Sequence, residues 1–218
     1  MEEKPFERII EAFETLSALN FTNHVSKKLI LEKRAGKGTE HMHGLLYAIE
    51  NNLEIIIKHQ SYWKEVAEMR TLQPIVIKES QNRWYLICFD TMKKDFRNFA
   101  LDRIIDLKIS TLKFKPINYD VTAYYQNAFG IETYETATKI ILNFNAFQAR
   151  YIKSLPLHSS QKIVFENEEY CKFEYFMHPT NDFIMEIMKY GENVKVEEPI
   201  ILRENVKNRI IIMLNMYQ

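Results

Sequence analysis

Seven consecutive residues, Arg83-Trp84-Tyr85-Leu86-Ile87-Cys88-Phe89, constrain the fold more than any other stretch. Strong β-formers dominate them, and no glycine or proline interrupts. Apolar side chains fall on both alternating faces: Trp84, Leu86 and Cys88 on one, Tyr85, Ile87 and Phe89 on the other. A strand with one face in water alternates apolar with polar, so this one is expected to be covered on both sides. Around it lie further β-rich runs. Val66–Lys78 precedes it across the turn Glu79-Ser80-Gln81-Asn82. Phe96–Leu101 follows the turn Thr91–Lys94, and Ile104–Phe114 supplies a last strand. Leu53–His59 comes first, with Leu53, Ile55, Ile57 and His59 on one face. A helix over Thr39–Asn51 leads in, with Thr39 as its cap and Leu45, Leu46 and Ile49 as its apolar stripe. One helix followed by five short strands is the pattern of a small β-barrel.

The flanks have other rhythms. Pro5–Asn20 predicts an amphipathic helix through Phe6, Ile9, Ile10, Phe13 and Leu16. Leu29-Ile30-Leu31 is β-like, and Ala35-Gly36-Lys37-Gly38 is a flexible stretch too short for a phosphate-cradling loop. Pro116–Ile131 is a connector whose Tyr119, Tyr124, Tyr125 and Phe129 need a surface to pack on. From Lys139 strands and helices alternate. A strand through Ile140, Leu142 and Phe144 leads to a helix capped by Asn145. Two strands flank Asn167-Glu168-Glu169. A helix opens at Pro179 with Phe183, Ile184, Ile187 and Met188 inward and stops at Gly191. After Val194–Glu197, Pro199 opens a final helix carrying Val206, Ile210, Met213 and Leu214. The order β-α-β-β-α-β plus a helix is that of a ferredoxin-like sandwich.

Composition excludes few classes. Hydrophobic residues make up 46% and charged residues 27%, and Lys+Arg balance Asp+Glu at 29 each. The distribution is uneven. Residues 70–115 hold ten basic and five acidic side chains, and residues 162–206 hold five basic and ten acidic. An anionic partner would therefore meet the middle of the chain, or the two halves attract each other or a second subunit. Cys88 and Cys171 sit in apolar strand patterns and are expected as buried thiols of a reducing compartment. No run is long and apolar enough for a membrane span or a signal peptide, so a cytoplasmic location is expected.

Three pieces in order carry a resemblance: Arg70 ahead of Pro74, then Trp84-Tyr85-Leu86, then Arg97-Asn98-Phe99-Ala100-Leu101-Asp102-Arg103-Ile104. Together they resemble the WYL domain, a small Sm-like β-barrel of bacterial proteins that are mostly transcriptional regulators. The last eighty or so residues resemble the C-terminal extension that accompanies many WYL domains. The implied fold class is α+β: a helical linker segment 1–38, a WYL barrel 39–115, a connector 116–137, and a ferredoxin-like α/β sandwich 138–218. WYL regulators usually begin with a winged helix-turn-helix. Met1–Gly38 is too short for one. Either a DNA-binding part lies outside this sequence, and operator DNA is met only through it, or the protein is a stand-alone sensor.

Catalytic and metal sites find little support. His41 and His43, two apart on a helix, point to different sides and cannot share an ion. No Gly-x-Ser-x-Gly elbow occurs, and Cys88 lies mid-strand where a thiolate is costly. No catalytic residue, metal or cofactor is expected, and the protein is expected not to be an enzyme. The basic and aromatic side chains are the better candidates, because guanidinium groups grip phosphates and rings stack on bases. The resemblance implies Arg70, Tyr85, Arg97 and Arg103 as ligand-binding residues. Arg83 stands where that family varies. At the edge, His59 replaces the usual tyrosine, making the site titratable near neutral pH, and Ser61 is the small polar residue that follows. Arg70, Tyr85, Arg97 and Arg103 are expected to line one groove, with His59 at its edge, for single-stranded DNA or RNA, or a nucleotide, in a ligand-sensing homodimer. The alternatives are a structural dimerisation module and, last, a nucleotide-processing enzyme.

Overall fold

The computed structural model describes residues 38–218. The expected helix 5–20, the β-like run 29–31 and residues 35–37 of the glycine-containing stretch lie outside the described residues. Nine strands and five α-helices in the described part make a mixed α/β structure with two antiparallel sheets.

The first sheet holds β1 (Leu53–His59), β2 (Glu68–Ser80), β3 (Arg83–Asp90), β4 (Asp95–Ala100) and β5 (Ile104–Lys113), in the order β4-β3-β2-β1-β5. The β2–β3 turn is tighter than expected. Glu79 and Ser80 pair with Trp84 and Arg83, leaving only Gln81 and Asn82, at φ 50° and 63°, to reverse the chain. Two left-handed residues match the twist of a two-residue hairpin. Pro74 is tolerated inside β2 because it sits at a bulge and beyond the last β1 pairing, at Leu72. Helix α1 (Met42–Glu50) packs on β1 and β2. Its buried face is Leu45 and Ala48, three apart; Leu46, a third of a turn round, is 45% exposed. Thr39 does not cap it: it opens a 3-10 turn, Thr39–His41, and makes no capping bond.

Leu86, Ile87 and Cys88 are all buried, as a strand covered on both faces requires. Leu45, Ile55, Ile57, Leu72, Phe99 and Leu101 cover the inner side. The connector covers the outer side. Tyr119 stacks on Phe96 with centroids 3.9 Å apart, and Tyr125 lies beside Asn98 and under Lys78. Within the connector, helix α2 (Val121–Tyr125) is capped by Asp120, which accepts from Ala123 N at 2.9 Å.

The second sheet holds β6 (Thr138–Asn145), β7 (Lys162–Glu166), β8 (Tyr170–Met177) and β9 (Val194–Glu198), in the order β7-β8-β6-β9. Helix α3 (Ala146–Ser154) starts at Asn145, whose side chain accepts from Gln148 N at 2.8 Å. Helix α4 (Asn181–Lys189) buries Phe183, Ile184 and Ile187 against Leu142, Phe144, Phe173 and Tyr175. Its N-terminus is capped from the connector: Asn181 N donates to Tyr134 Oη and Asp182 N to Glu132 Oε2, both at 2.9 Å. In return Ile131 N donates to the Asp182 carboxylate at 3.2 Å. Gly130, at φ 84°, has no alternative here, since a Cβ would run into that carboxylate. The final helix α5 (Ile200–Asn215) departs from expectation. Only Leu202 and Val206 are buried, while Ile210, Met213 and Leu214 are exposed. Five apolar residues in succession from Ile210 to Leu214 cannot share one face of a helix.

Candidate ligand-binding site

Strand alternation and register decide which polar groups meet. In β1, Ile55, Ile57 and His59 face inward; opposite them in β2 stand Leu72, Arg70 and Glu68. Across β3, Leu72 faces Asp90, and Asp90, Cys88 and Leu86 face Asp95, Arg97 and Phe99 of β4. One end of this inner face is therefore apolar and the other is ionic. The ionic end opens into a hollow of about 440 Å³ lined by His59, Ser61, Lys64, Glu68, Arg70, Asp95, Arg97 and Arg103.

Its charges are unequally free. Arg70 is engaged by Glu68 on one side and lies 3.8 Å from the fully buried Asp90 on the other. Lys64 also reaches Glu68, at 2.6 Å. Arg97 is exposed and makes no ion pair among the described residues. The Arg103 guanidinium lies over the Tyr62 ring at 4.6 Å, and its Nε is buried without a hydrogen-bond partner. His59 packs edge-on against Phe99 at 5.0 Å, with Nε2 buried and unpartnered. Burial first, then the positive charges of Arg103 and Arg70, hold its pKa below the ordinary value of 6.5. Burial and the two neighbouring guanidinium groups thus disfavour the protonated form of His59.

Tyr85 and Arg83 lie elsewhere. They occupy the opposite face of β3 from Cys88, and Tyr85 pairs with Ala100. They line a second, larger hollow of about 730 Å³ with Asn98, Tyr124, Ile131, Glu132, Tyr134 and Asp182. Arg83 approaches Asp102 at 3.8 Å. The seven candidates therefore do not share one groove. They divide between two hollows, and Arg103, in the 3-10 turn Leu101–Arg103, borders both, as does Asn98. Sequence reasoning missed Lys64 and Glu68. The signal was faint: a lysine and a glutamate four apart in a polar stretch, which is usually a solvated pair.

No metal-binding group of three or more His, Cys, Asp or Glu occurs among the described residues. Cys88 and Cys171 are free and buried, and burial pushes both thiols up. No described helix is long and apolar enough to cross a membrane.

No curated protein matches the chain. Among solved structures it resembles a CRISPR Cas-related protein, at 11% identity and a TM-score of 0.53, over 83% of this chain and 52% of that one. That likeness concerns the fold alone. Proteasome accessory factor B/C (PafBC) of Arthrobacter aurescens aligns at 19% identity and a TM-score of 0.42, over 81% of this chain and 27% of its own. The chain thus spans about a quarter and about half of these proteins. Residues 40–109, which carry the ionic hollow, match the family model of the WYL domain, and residues 136–213 match that of the WCX domain. The chain belongs to the WYL-domain proteins, with a WCX domain following the WYL domain.

Proposed function

We propose that this chain is the ligand-sensing and dimerising region of a bacterial, cytoplasmic WYL-type transcriptional regulator, and that it binds single-stranded nucleic acid or a nucleotide without acting as an enzyme. One observation carries the reading: Lys64, Arg70, Arg97 and Arg103 converge on one hollow of the WYL domain, beside His59. In this reading the ionic hollow takes phosphate. The larger one, with Tyr85, Tyr124 and Tyr134, takes a base by stacking, and Arg103 spans the two. The domain division is 1–38, 39–115, 116–137 and 138–218. The first sheet is taken as an Sm-like barrel. The second is taken as a ferredoxin-like sandwich, supported by its strand order β7-β8-β6-β9.

A thermal-shift series with short oligonucleotides and nucleotides tests this, because any ligand of the folded state raises its melting temperature by mass action. A raised melting temperature that fades with salt is the expected result. No shift with any phosphate-bearing probe at low salt would remove the reading. Arg70's engagement by Glu68 and Asp90 favours a second reading, a dimerisation module whose arginines serve packing. Exposed Ile210, Ile211 and Met213 on α5 are compatible with a homodimer in either case. Sedimentation at micromolar concentration that shows only monomer would count against both.

A further inference from the structure

We propose that Glu68 occupies the seat of the ligand's phosphate, as the displaceable counter-ion of Lys64 and Arg70, while Asp90 is the fixed one. This rests on the phosphate-binding reading above. Glu68 spans two cations: Oε1 accepts from Lys64 Nζ at 2.6 Å, and Oε2 accepts from Arg70 Nη2. Two oxygens bridging an ammonium and a guanidinium are what two non-bridging phosphate oxygens would also provide. A carboxylate that copies those contacts must leave before phosphate can make them.

The two acids around Arg70 differ in how firmly they are held. Asp90 is fully buried, and its Oδ1 accepts from Met92 N and Lys93 N at 3.0 Å each. Its Oδ2 faces Arg70 Nη1 at 3.8 Å and has no hydrogen bond. It is pinned in place, and it keeps a negative charge behind the guanidinium whatever happens in front. The Glu68 side chain is 39% exposed and, among the described residues, bonds only to the two cations. Exposed ion pairs contribute little, since water screens them and two long side chains must be ordered. A rotation about its own χ angles releases Glu68 to solvent. Arg70, 12% exposed, stays aimed into the hollow by Asp90.

Binding at this seat is then an exchange of one anion for another. The condensed counterions belong to the strand, so a phosphate seated on Lys64 and Arg70 releases its share as one seated on Arg97 or Arg103 does. Three phosphates seated in this way give a single strand a slope of log K against log salt of about −2.1, at roughly −0.7 per phosphate neutralised.

The test compares wild type with Glu68→Gln, which keeps the shape and a carbonyl acceptor for Lys64 but removes the charge. The probes are a short oligothymidylate and thymidine monophosphate. At low salt the variant should bind roughly threefold to tenfold tighter. Its slope for the strand should stay as in wild type, because the same number of phosphates is neutralised. Tightening with both probes marks a seat sufficient for a lone phosphate, and tightening with the strand alone marks one that reads phosphate within a chain; both support the assignment. If wild type binds and the variant binds equally or more weakly, the seat assignment falls and the binding reading stands. If neither protein binds either probe, both fall.

Discussion

The two sheets differ most in the polar groups they bury. Among the described residues, the buried side-chain polar atoms without a hydrogen-bond partner are His59 Nε2, Asp90 Oδ2, Asp102 Oδ1 and Arg103 Nε in the first region and Thr180 Oγ1 in the second. The second core is continuous and apolar, and its one fully buried tyrosine, Tyr175, donates to Gln161 at 3.0 Å. Its ion pairs, Lys139–Glu198 and Lys172–Glu197 among them, lie outside that core. An unmet buried polar group costs about 1–3 kcal/mol, so the first sheet gives up stability that the second retains. Three of the four unmet groups border or face the ionic hollow, where a ligand or water can satisfy them. The WYL region is built around unsatisfied charge, and the WCX region around packing.

Breaking the packed region should have the largest effect. Phe173→Ala removes a fully buried ring from the second core and should cost about 3–5 kcal/mol in chemical denaturation. A loss below about 1 kcal/mol would mean that this core does not carry the stability assigned to it. Asp90→Asn keeps an acceptor for the Met92 and Lys93 amides but leaves Arg70 without its buried charge. A loss of about 1–3 kcal/mol in the same measurement is expected.

Tyr85→Ala sharpens the contrast within the WYL region, between its stacking face and its ionic face. It should weaken strand binding by about 1–3 kcal/mol and leave the salt slope unchanged. A change in slope would place Tyr85 with the phosphates instead.

The pH dependence should be smaller. The folded protein holds the pKa of His59 below 6.5, whereas the unfolded chain protonates near 6.5. The unfolded state therefore binds more protons between those two values. The contribution is fully present above 6.5 and is lost as pH falls below it, by less than about 1.4 kcal/mol per pH unit. Melting curves of His59→Phe should lack that component; an unchanged profile would assign the acid sensitivity to other groups.

Arg97→Ala should have the smallest effect on stability, within about 0.5 kcal/mol, because the side chain is exposed and unpaired among the described residues. Its signature is a salt slope shallower by about 0.7. A thermal scan and a salt titration on one preparation separate the two quantities.

Local chemistry accounts for what was legible from residues alone. Trp84–Phe89 carries its own evidence for a strand covered on both sides, since apolar residues fall on both faces. Asn145 announces a helix start, and its side chain caps Gln148 N. The succession of strands and helices along the second half, β6-α3-β7-β8-α4-β9-α5, was legible as well. Failures came where a pattern was ambiguous within one turn. Leu46 lost its inward place to the smaller Ala48, and the apolar run at the end of α5 had no single face to offer.

The candidate site was legible by residue type and illegible by grouping. The sequence by itself determined that arginines and aromatics crowd the middle strands, that two thiols are buried, and that five strands precede an alternating α/β half. Only the tertiary structure decided that Arg97 stands opposite Cys88 and Asn98 opposite Ile87, which puts Arg97 with Arg70 and leaves Tyr85 on the other face. Only it decided that Asp90 lies behind Arg70 and Glu68 in front. The reason is the period of two. Alternation fixes which residues of one strand share a face, but a shift of one residue between strands exchanges every neighbour, and no strand carries that register within itself.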